Sequence, residues 1–359
     1  MRMRNPVILA AGPTGRDSAA LIRAAEGGAG AVVTKSICYK GAKKVPRPCI
    51  LKVSGGLLNA VKWSELNYET WVKKEIPEAK KSGVPIIAAI SSEKNDPTEI
   101  SGLAKDVAEA GADMVEICTF YTGKLLPSFV KVAKEVTDIP IIGKMVLTTF
   151  DLKNIGRECE KAGADAISCM DTIGPCLKIN IETGNPILGQ LSGAGRLSGP
   201  PIKPITSYYV AELAQAVDIP IIGVGGIMTG EDAVEMMMAG AKAVEVCTAT
   251  ILKGPKILGS IANGIASFMD RKGYKRVDEF IGLALKQIEE RKRRGVVIYE
   301  GKPPLIDPDL CNGCGICAMS CLYGAITIVE KLAKVDTSKC YGCGLCSTVC
   351  PPHAIKLQY

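Results

Sequence analysis

The chain has 359 residues, 47% of them apolar, with 44 Lys and Arg against 37 Asp and Glu for a formal charge of +7. Such a length buries a large core and leaves room for a second domain, while a mild basic excess gives no warrant for nucleic-acid binding. The single histidine, His353, lies near the carboxyl terminus, so chemistry elsewhere in the chain must proceed without the commonest acid–base side chain. No apolar stretch is long enough for a signal peptide or a membrane span, and a soluble, cytoplasmic protein without membrane contact is expected. Of the fifteen cysteines, the seven outside the tail are scattered through apolar segments, as free thiols are in a reducing compartment.

In chain order, the first strand is expected at Pro6 to Ala11 (PVILAA). A phrase then recurs: Gly27 to Gly30 (GGAG) before AVVTK, Ala110 to Asp113 (AGAD) before MVEI, Ala162 to Asp165 (AGAD) before AISCM, and Ala239 to Lys242 (AGAK) before AVEV. Interleaved with it are DIPIIG at 138–143 and again at 218–223, with VPIIA at 84–88 as a looser copy. Each is a helix stop at glycine or a turn, followed by a short, fully apolar strand, the pattern of strands buried on both faces of a parallel sheet. Eight such strands, each followed by a helix-like stretch, predict a (β/α)8 TIM barrel over residues 1–286. A doubly wound sheet is the alternative, but no G-x-G-x-x-G follows the first strand to support it. The charged, proline-ended stretch 287–305 is expected to be a linker, and 306–359 a small α+β domain.

In a barrel of this kind, function sits at the carboxyl ends of the strands. Those ends carry Ala11 and Gly12, then Lys35 and Ser36, Cys118, Lys144, Asp171 with Thr172, Gly225 with Gly226, and Cys247 with Thr248. A glycine pair alone marks only a tight turn; beside Thr248 it makes an anion site in which backbone N–H groups approach a phosphate. Lys35 and Lys144, each closing a strand, are expected to aim their ammonium groups at a ligand, where one or both can stabilise an anionic group.

The tail carries two cysteine quartets of equal spacing, Cys311, Cys314, Cys317 and Cys321, and Cys340, Cys343, Cys346 and Cys350, the second followed by Pro351. This is the spacing of a bacterial ferredoxin with two 4Fe-4S clusters, in which the fourth ligand of each triplet comes from the other run. Cys311, Cys314, Cys317 and Cys350 are therefore expected on one cluster, and Cys340, Cys343, Cys346 and Cys321 on the other. Zinc ribbons pair their cysteines in twos and do not produce this pattern.

GAVVTKS, LLNAVKWSELNYETW, the strand-end Lys144, GRLSGPPIKP at 195–204 and VGGIMTGEDAVEMMMAGA at 224–241 together resemble the dihydroorotate and dihydropyrimidine dehydrogenase family. The resemblance spans nearly all of the barrel, and the cysteine tail makes the dihydropyrimidine branch the closer relative. It implies FMN as cofactor. Lys35 and Lys144 would contact the isoalloxazine, Asn59 would face flavin and substrate, and Ser198 with Gly199 would lie along the flavin. Gly225, Gly226 and Thr248 would hold its phosphate, with Ala11, Gly12, Ser36, Thr172 and Cys247 as neighbouring contacts. Hydride would pass between flavin N5 and a small unsaturated substrate, and single electrons through the clusters. A ferredoxin or a flavoprotein would be the electron partner, in a homodimer or a larger redox complex; a non-catalytic electron-transfer subunit is the alternative.

The substrate side departs from the family. Its Glu-x-Asn-x-Ser-Cys-Pro pattern is here Glu116-Ile-Cys118-Thr-Phe-Tyr121-Thr, and its later Asn-Thr is Asp171-Thr172. Cys118 stands in place of the substrate asparagine and Tyr121 in place of the acid–base cysteine. Tyr121, Cys118, Asp171 and Lys35 are the catalytic candidates, with Trp63 and Tyr39 as a roof. A pocket that loses hydrogen-bond partners for a uracil ring loses affinity for it.

Overall fold

The computed structural model describes residues 3–119, 123–147, 151–295 and 301–358. The chain divides into two compact units, Met1–Gln287 and Ile288–Tyr359.

The first unit is a closed barrel of parallel strands: β1 (Val7–Leu9), β2 (Ala31–Val33), β3 (Ile86–Ile90), β4 (Met114–Cys118), β5 (Ile141–Lys144), β6 (Ala166–Cys169), β7 (Ile221–Val224) and β8 (Ala241–Val246). Each strand pairs with its neighbours in sequence, and β8 closes onto β1 through Ile8 opposite Glu245. The expected (β/α)8 barrel is the observed fold, and its strands fall on the segments singled out by the repeated phrase.

The structure explains that phrase. Helices Pro97–Glu109 and Leu152–Lys161 both end at an AGAD, with Gly111 at φ +98° and Gly163 at φ +97°, a region that favours glycine. The N–H of Ala112 donates to Val107 O, and that of Ala164 to Cys159 O, both at 3.0 Å, which closes the last turn and turns the chain into the next strand. The aspartate that follows then caps the preceding strand: Asp113 accepts from Ile86 N at 2.8 Å and Asp165 from Ile141 N at 2.7 Å. In these two copies the glycine takes the positive φ of the turn and the aspartate caps the strand before it.

Side chains alternate along the strands. Val7, Leu9, Val115, Ile117, Val244 and Val246 face the helices, where fully buried Trp71, Phe129 and Phe280 fill the layer between. Ile8, Val33, Ala89, Ile142 and Val224 point into the barrel. Burying a large side chain of this kind stabilises by about 1.5–3 kcal/mol. The same alternation sends Glu116, Lys144, Ser168 and Glu245 inward, each lying between or beside outward-facing apolar residues.

A four-stranded antiparallel sheet, in the order Ile50–Val53, Gly56–Asn59, Gly195–Ser198 and Ile173–Cys176, is built from the connections after β2 and β6. It sets Asn59 opposite Arg196. These segments lack the apolar runs of the barrel strands and carry no comparable sequence signal.

In the second unit, Leu305–Ile306 pairs with Ile355–Lys356 and Ile326–Val329 with Leu332–Val335. One-turn helices, Ile316–Met319 and Leu345–Thr348, follow the first two cysteines of each triplet and carry the third. Residues 287–294 of the stretch expected as linker are helical, belonging to Leu283–Arg294. Among the described residues no helix is long and apolar enough to cross a membrane.

Candidate active site and cysteine hollows

A cavity of about 500 Å³ opens at the carboxyl ends of the barrel strands. Every residue expected there on the cofactor side lines it: Ala11 and Gly12 after β1, Lys35 and Ser36 after β2, Asn59 from the added sheet, and Lys144 ending β5. Thr172, Ser198 and Gly199, then Gly225 and Gly226, and finally Cys247 and Thr248 complete the ring. Of the catalytic candidates, Cys118, Asp171 and Lys35 line the same cavity, whereas Tyr121 lies outside the described residues.

One end of the cavity is built from glycine and hydroxyl groups. Gly225 has φ +121°, and a β-carbon there would lie 2.7 Å from Thr206 Cγ2, so no side chain fits. The Thr248 hydroxyl donates to Ser198 Oγ at 2.8 Å, joining the strand-eight end to the added sheet. Gly199, at φ +92°, brings its backbone against Gly56 and Thr248.

Both lysines reach the cavity, and each ammonium is also paired with carboxylate. Lys35 Nζ donates to Glu65 Oε2 at 2.7 Å, and against the cost of burial this hydrogen bond holds the Glu65 carboxyl below its ordinary range. Lys144 Nζ donates to Glu245 Oε2 at 2.6 Å and to Glu116 Oε2 at 3.2 Å. Burial alone would lower the Lys144 pKa; the two carboxylates override it and raise it, so the ammonium keeps its proton.

On the substrate side, Cys118 Sγ lies 3.8 Å from Asp171 Oδ2, and Asp171 Oδ1 accepts from Thr172 N at 2.6 Å. Burial, reinforced by Asp171, pushes the Cys118 thiol well up, so it is a proton-bearing thiol and not a thiolate nucleophile. Burial likewise pushes Cys247 and Cys169 up to about 12. Arg196 Nε donates to Thr172 O at 3.1 Å and to Thr172 Oγ1 at 3.0 Å, fixing the loop after β6. Trp63 lines the cavity, with its indole N–H bonded to Lys40 O at 2.9 Å. Tyr39 does not reach the cavity: it packs edge-on against Tyr68 with ring centroids 4.6 Å apart.

Sequence reasoning passed over Glu116 and Glu245 as cavity residues, and with them Lys62, Glu93 and Arg196. For the two glutamates a signal was present. Each interrupts an otherwise apolar strand, MVEIC and AVEV, and a charge inside a doubly buried strand needs a partner.

In the second unit two small hollows are each lined by four cysteines. Cys311, Cys314, Cys317 and Cys350 surround one, and Cys321, Cys340, Cys343 and Cys346 the other. Each set draws three sulfurs from one run and one from the other, the crossing expected from the spacing. Ala325 N donates to Cys321 Sγ at 3.3 Å, and this and neighbouring backbone N–H groups outweigh burial and lower its pKa, favouring the thiolate a ligand must be. Among the described residues no three Cys, His, Asp or Glu side chains close around a single metal ion.

Comparison with known proteins gives the same division. The family model for dihydroorotate dehydrogenase matches residues 1–269, and that for a 4Fe-4S dicluster domain matches residues 304–357. Proteins named dihydroorotate dehydrogenase B (NAD(+)), catalytic subunit, are similar. That of Methanothermobacter thermautotrophicus is 37% identical over 79% of this chain and 96% of its own. Those of Pyrococcus abyssi (37%; 80% and 97%) and Methanosarcina acetivorans (36%; 80% and 95%) are comparable.

Proposed function

Because the chain belongs to the dihydroorotate dehydrogenase family, we propose that its barrel binds FMN and oxidises or reduces a small CH–CH substrate, with electrons passing singly through two 4Fe-4S clusters. Family membership makes it a flavin-dependent oxidoreductase with an iron–sulfur domain. The observation that carries the finer reading is the convergence of all the expected cofactor residues, from eight separate segments of the chain, on one cavity.

The residues present fit FMN. Gly225, Gly226, Ser198 and Thr248 make an end without bulky side chains, suited to a phosphate. Lys35, Lys144 and Asn59 offer donors to a polar ring edge, and Ile50, Leu57 and Met170 offer apolar surface to its faces. Glu116, a residue of the cavity lining, keeps one carboxylate oxygen buried with no hydrogen-bond partner, so the floor of the site is not satisfied by the protein alone. When bound, FMN supplies the conversion between a two-electron hydride exchange and one-electron transfer.

The protein's own groups handle orientation and the second proton. Thr172 and Asn59 are positioned to bind substrate polar atoms, Asp171 to accept a hydrogen bond from a substrate N–H or O–H, and the protonated Cys118 thiol to donate. Tyr121 is the further proton-donor candidate. The relatives bear the dihydroorotate name, and the fused cysteine unit is the feature that points to the dihydropyrimidine branch. "Catalytic subunit" in the relatives' name supports a partner protein, a ferredoxin or flavoprotein, that carries the electrons onward.

Anaerobic optical titration of the flavin- and iron-counted protein with dihydroorotate and with dihydrouracil tests the assignment. Stoichiometric bleaching of the flavin band by either identifies the branch. Bleaching by dithionite but by neither substrate would transfer the activity to another CH–CH compound or to a relay role in a larger complex.

A further inference from the structure

Three ionisable side chains occupy the interior of the barrel directly under the cavity: Glu116 on β4, Lys144 on β5 and Glu245 on β8, at 0%, 5% and 1% exposure. All three line the cavity. Lys144 Nζ bonds one oxygen of each carboxylate, and Ser168 Oγ donates to the second oxygen of Glu245 at 3.2 Å. The second oxygen of Glu116 is left without a partner. Two carboxylates against one ammonium leave a net negative charge in a dry interior, an arrangement that binding a single proton neutralises.

We propose that Glu116 and Glu245 share one proton above Lys144, and that this carboxyl pair takes up and releases its proton in step with reduction and reoxidation of the ring held in the cavity. The proposal rests on the flavin reading. Glu116 acts through Lys144 and is a positioning residue. With the proton in place the trio is neutral, and the ammonium is free to balance the negative charge that collects on a reduced ring. With the proton lost, the trio is itself negative and opposes that charge. Electrons drawn from a substrate CH–CH bond therefore bring one proton from cavity water onto the pair, and both depart when the electrons move on to the clusters.

Burial, then the neighbouring Glu245, push Glu116 up to about 8 against the pull of Lys144, consistent with a proton held near neutrality. The charged and titratable groups around the pair are Lys144, Cys118 on the same strand as Glu116, and Asp171, Cys169 and Cys247 beyond Lys144. The three thiols stay protonated through this range, so none supplies the proton change near pH 8.

The test is the pH dependence of the flavin midpoint potential in the intact chain, wild type against Glu116→Gln, with flavin content measured on both. The pair predicts that the wild type takes up about one more proton per two electrons than Glu116→Gln across the window around pH 8, a steeper slope by ~30 mV per pH unit for a two-electron couple. Identical slopes in two flavin-replete proteins would overturn the proposal. Should Glu116→Gln fail to retain flavin, the wild-type infrared difference spectrum, reduced minus oxidised, decides: a deuterium-sensitive carboxylic acid C=O band gained on reduction is expected, and its absence would refute the pair. A wild-type chain that binds no FMN at all would instead defeat the flavin assignment on which the proposal stands.

Discussion

Replacing Lys144 by methionine keeps most of the side-chain volume and removes the one cation that the inner carboxylates share. Its Nζ lies 2.6 Å from Glu245 and 3.2 Å from Glu116, and all three side chains are at most 6% exposed, so solvent screens little of the loss. Removing one partner from a buried ion pair costs about 3–5 kcal/mol, because the remaining charge is left unpaired in a poor solvent. At ~2–4 °C per kcal/mol for a domain of this size, the barrel's thermal midpoint at pH 8 should fall by roughly 6–20 °C. Acid relieves part of the penalty: Lys144 is what pulls the raised Glu116 pKa down, so without it Glu116 takes its proton more readily and the gap to wild type should narrow as pH falls below 8. The triple variant Lys144→Met, Glu116→Gln, Glu245→Gln removes all three charges and should recover much of the loss. Calorimetry of the barrel transition at two FMN concentrations separates this intrinsic effect from ligand linkage. A Lys144→Met midpoint within about 2 °C of wild type at pH 8, or a triple variant no better than the single one, would refute the reasoning.

The wild-type barrel should lose stability as pH rises from about 5 to 8. Glu116 has a folded-state pKa of about 8 against an ordinary 4.5, so the folded chain holds more protons within that window and each pH unit costs it up to ~1.4 kcal/mol; Glu116→Gln should flatten the profile, read by denaturant melts at each pH. Gly225→Ala should cost about 1–3 kcal/mol and reduce flavin retention, since the new methyl meets Thr206 Cγ2 at 2.7 Å on a backbone at φ +121°; unchanged flavin content and midpoint would count against the tight glycine end. Cys118, Cys169 and Cys247 should resist alkylation at pH 8 in the folded protein and react on unfolding, as mass spectrometry can follow, because burial keeps all three thiols protonated. Cys350→Ala and Cys321→Ala should each remove one cluster and leave the other, taking the iron count from about eight toward about four per chain; loss of both clusters from either change would argue against independent crossed sites.

Much of this was written in local sequence. The helix end and the glycine at positive φ in the AGAD phrases are set within a few residues, so they locate the barrel strands before any tertiary contact is known, whereas the strands that Asp113 and Asp165 cap begin 27 and 24 positions away. The cysteine runs carry their own geometry in the same way, because ligand spacing on one tight loop is a property of the backbone. Strand ends in turn name the cavity residues, since a parallel barrel exposes those ends together. From one sequence, then, the barrel, the cysteine unit and the cofactor side of the cavity follow.

What tertiary structure alone decided is who meets whom across the barrel. Glu116 and Glu245 are 129 positions apart, on strands that Lys144 joins through the interior, and no local pattern says that their inward turns fall at the same depth. Glu65 and Lys35 belong to separate segments and meet only in the fold, so the carboxylate partner of this strand-end lysine is not readable from strand position. The sheet that brings Asn59 against Arg196 likewise joins two distant loops. Local sequence fixes conformation because backbone and turn energies are short-ranged; charge pairing depends on where the closed barrel brings its strands, and that is a property of the whole chain.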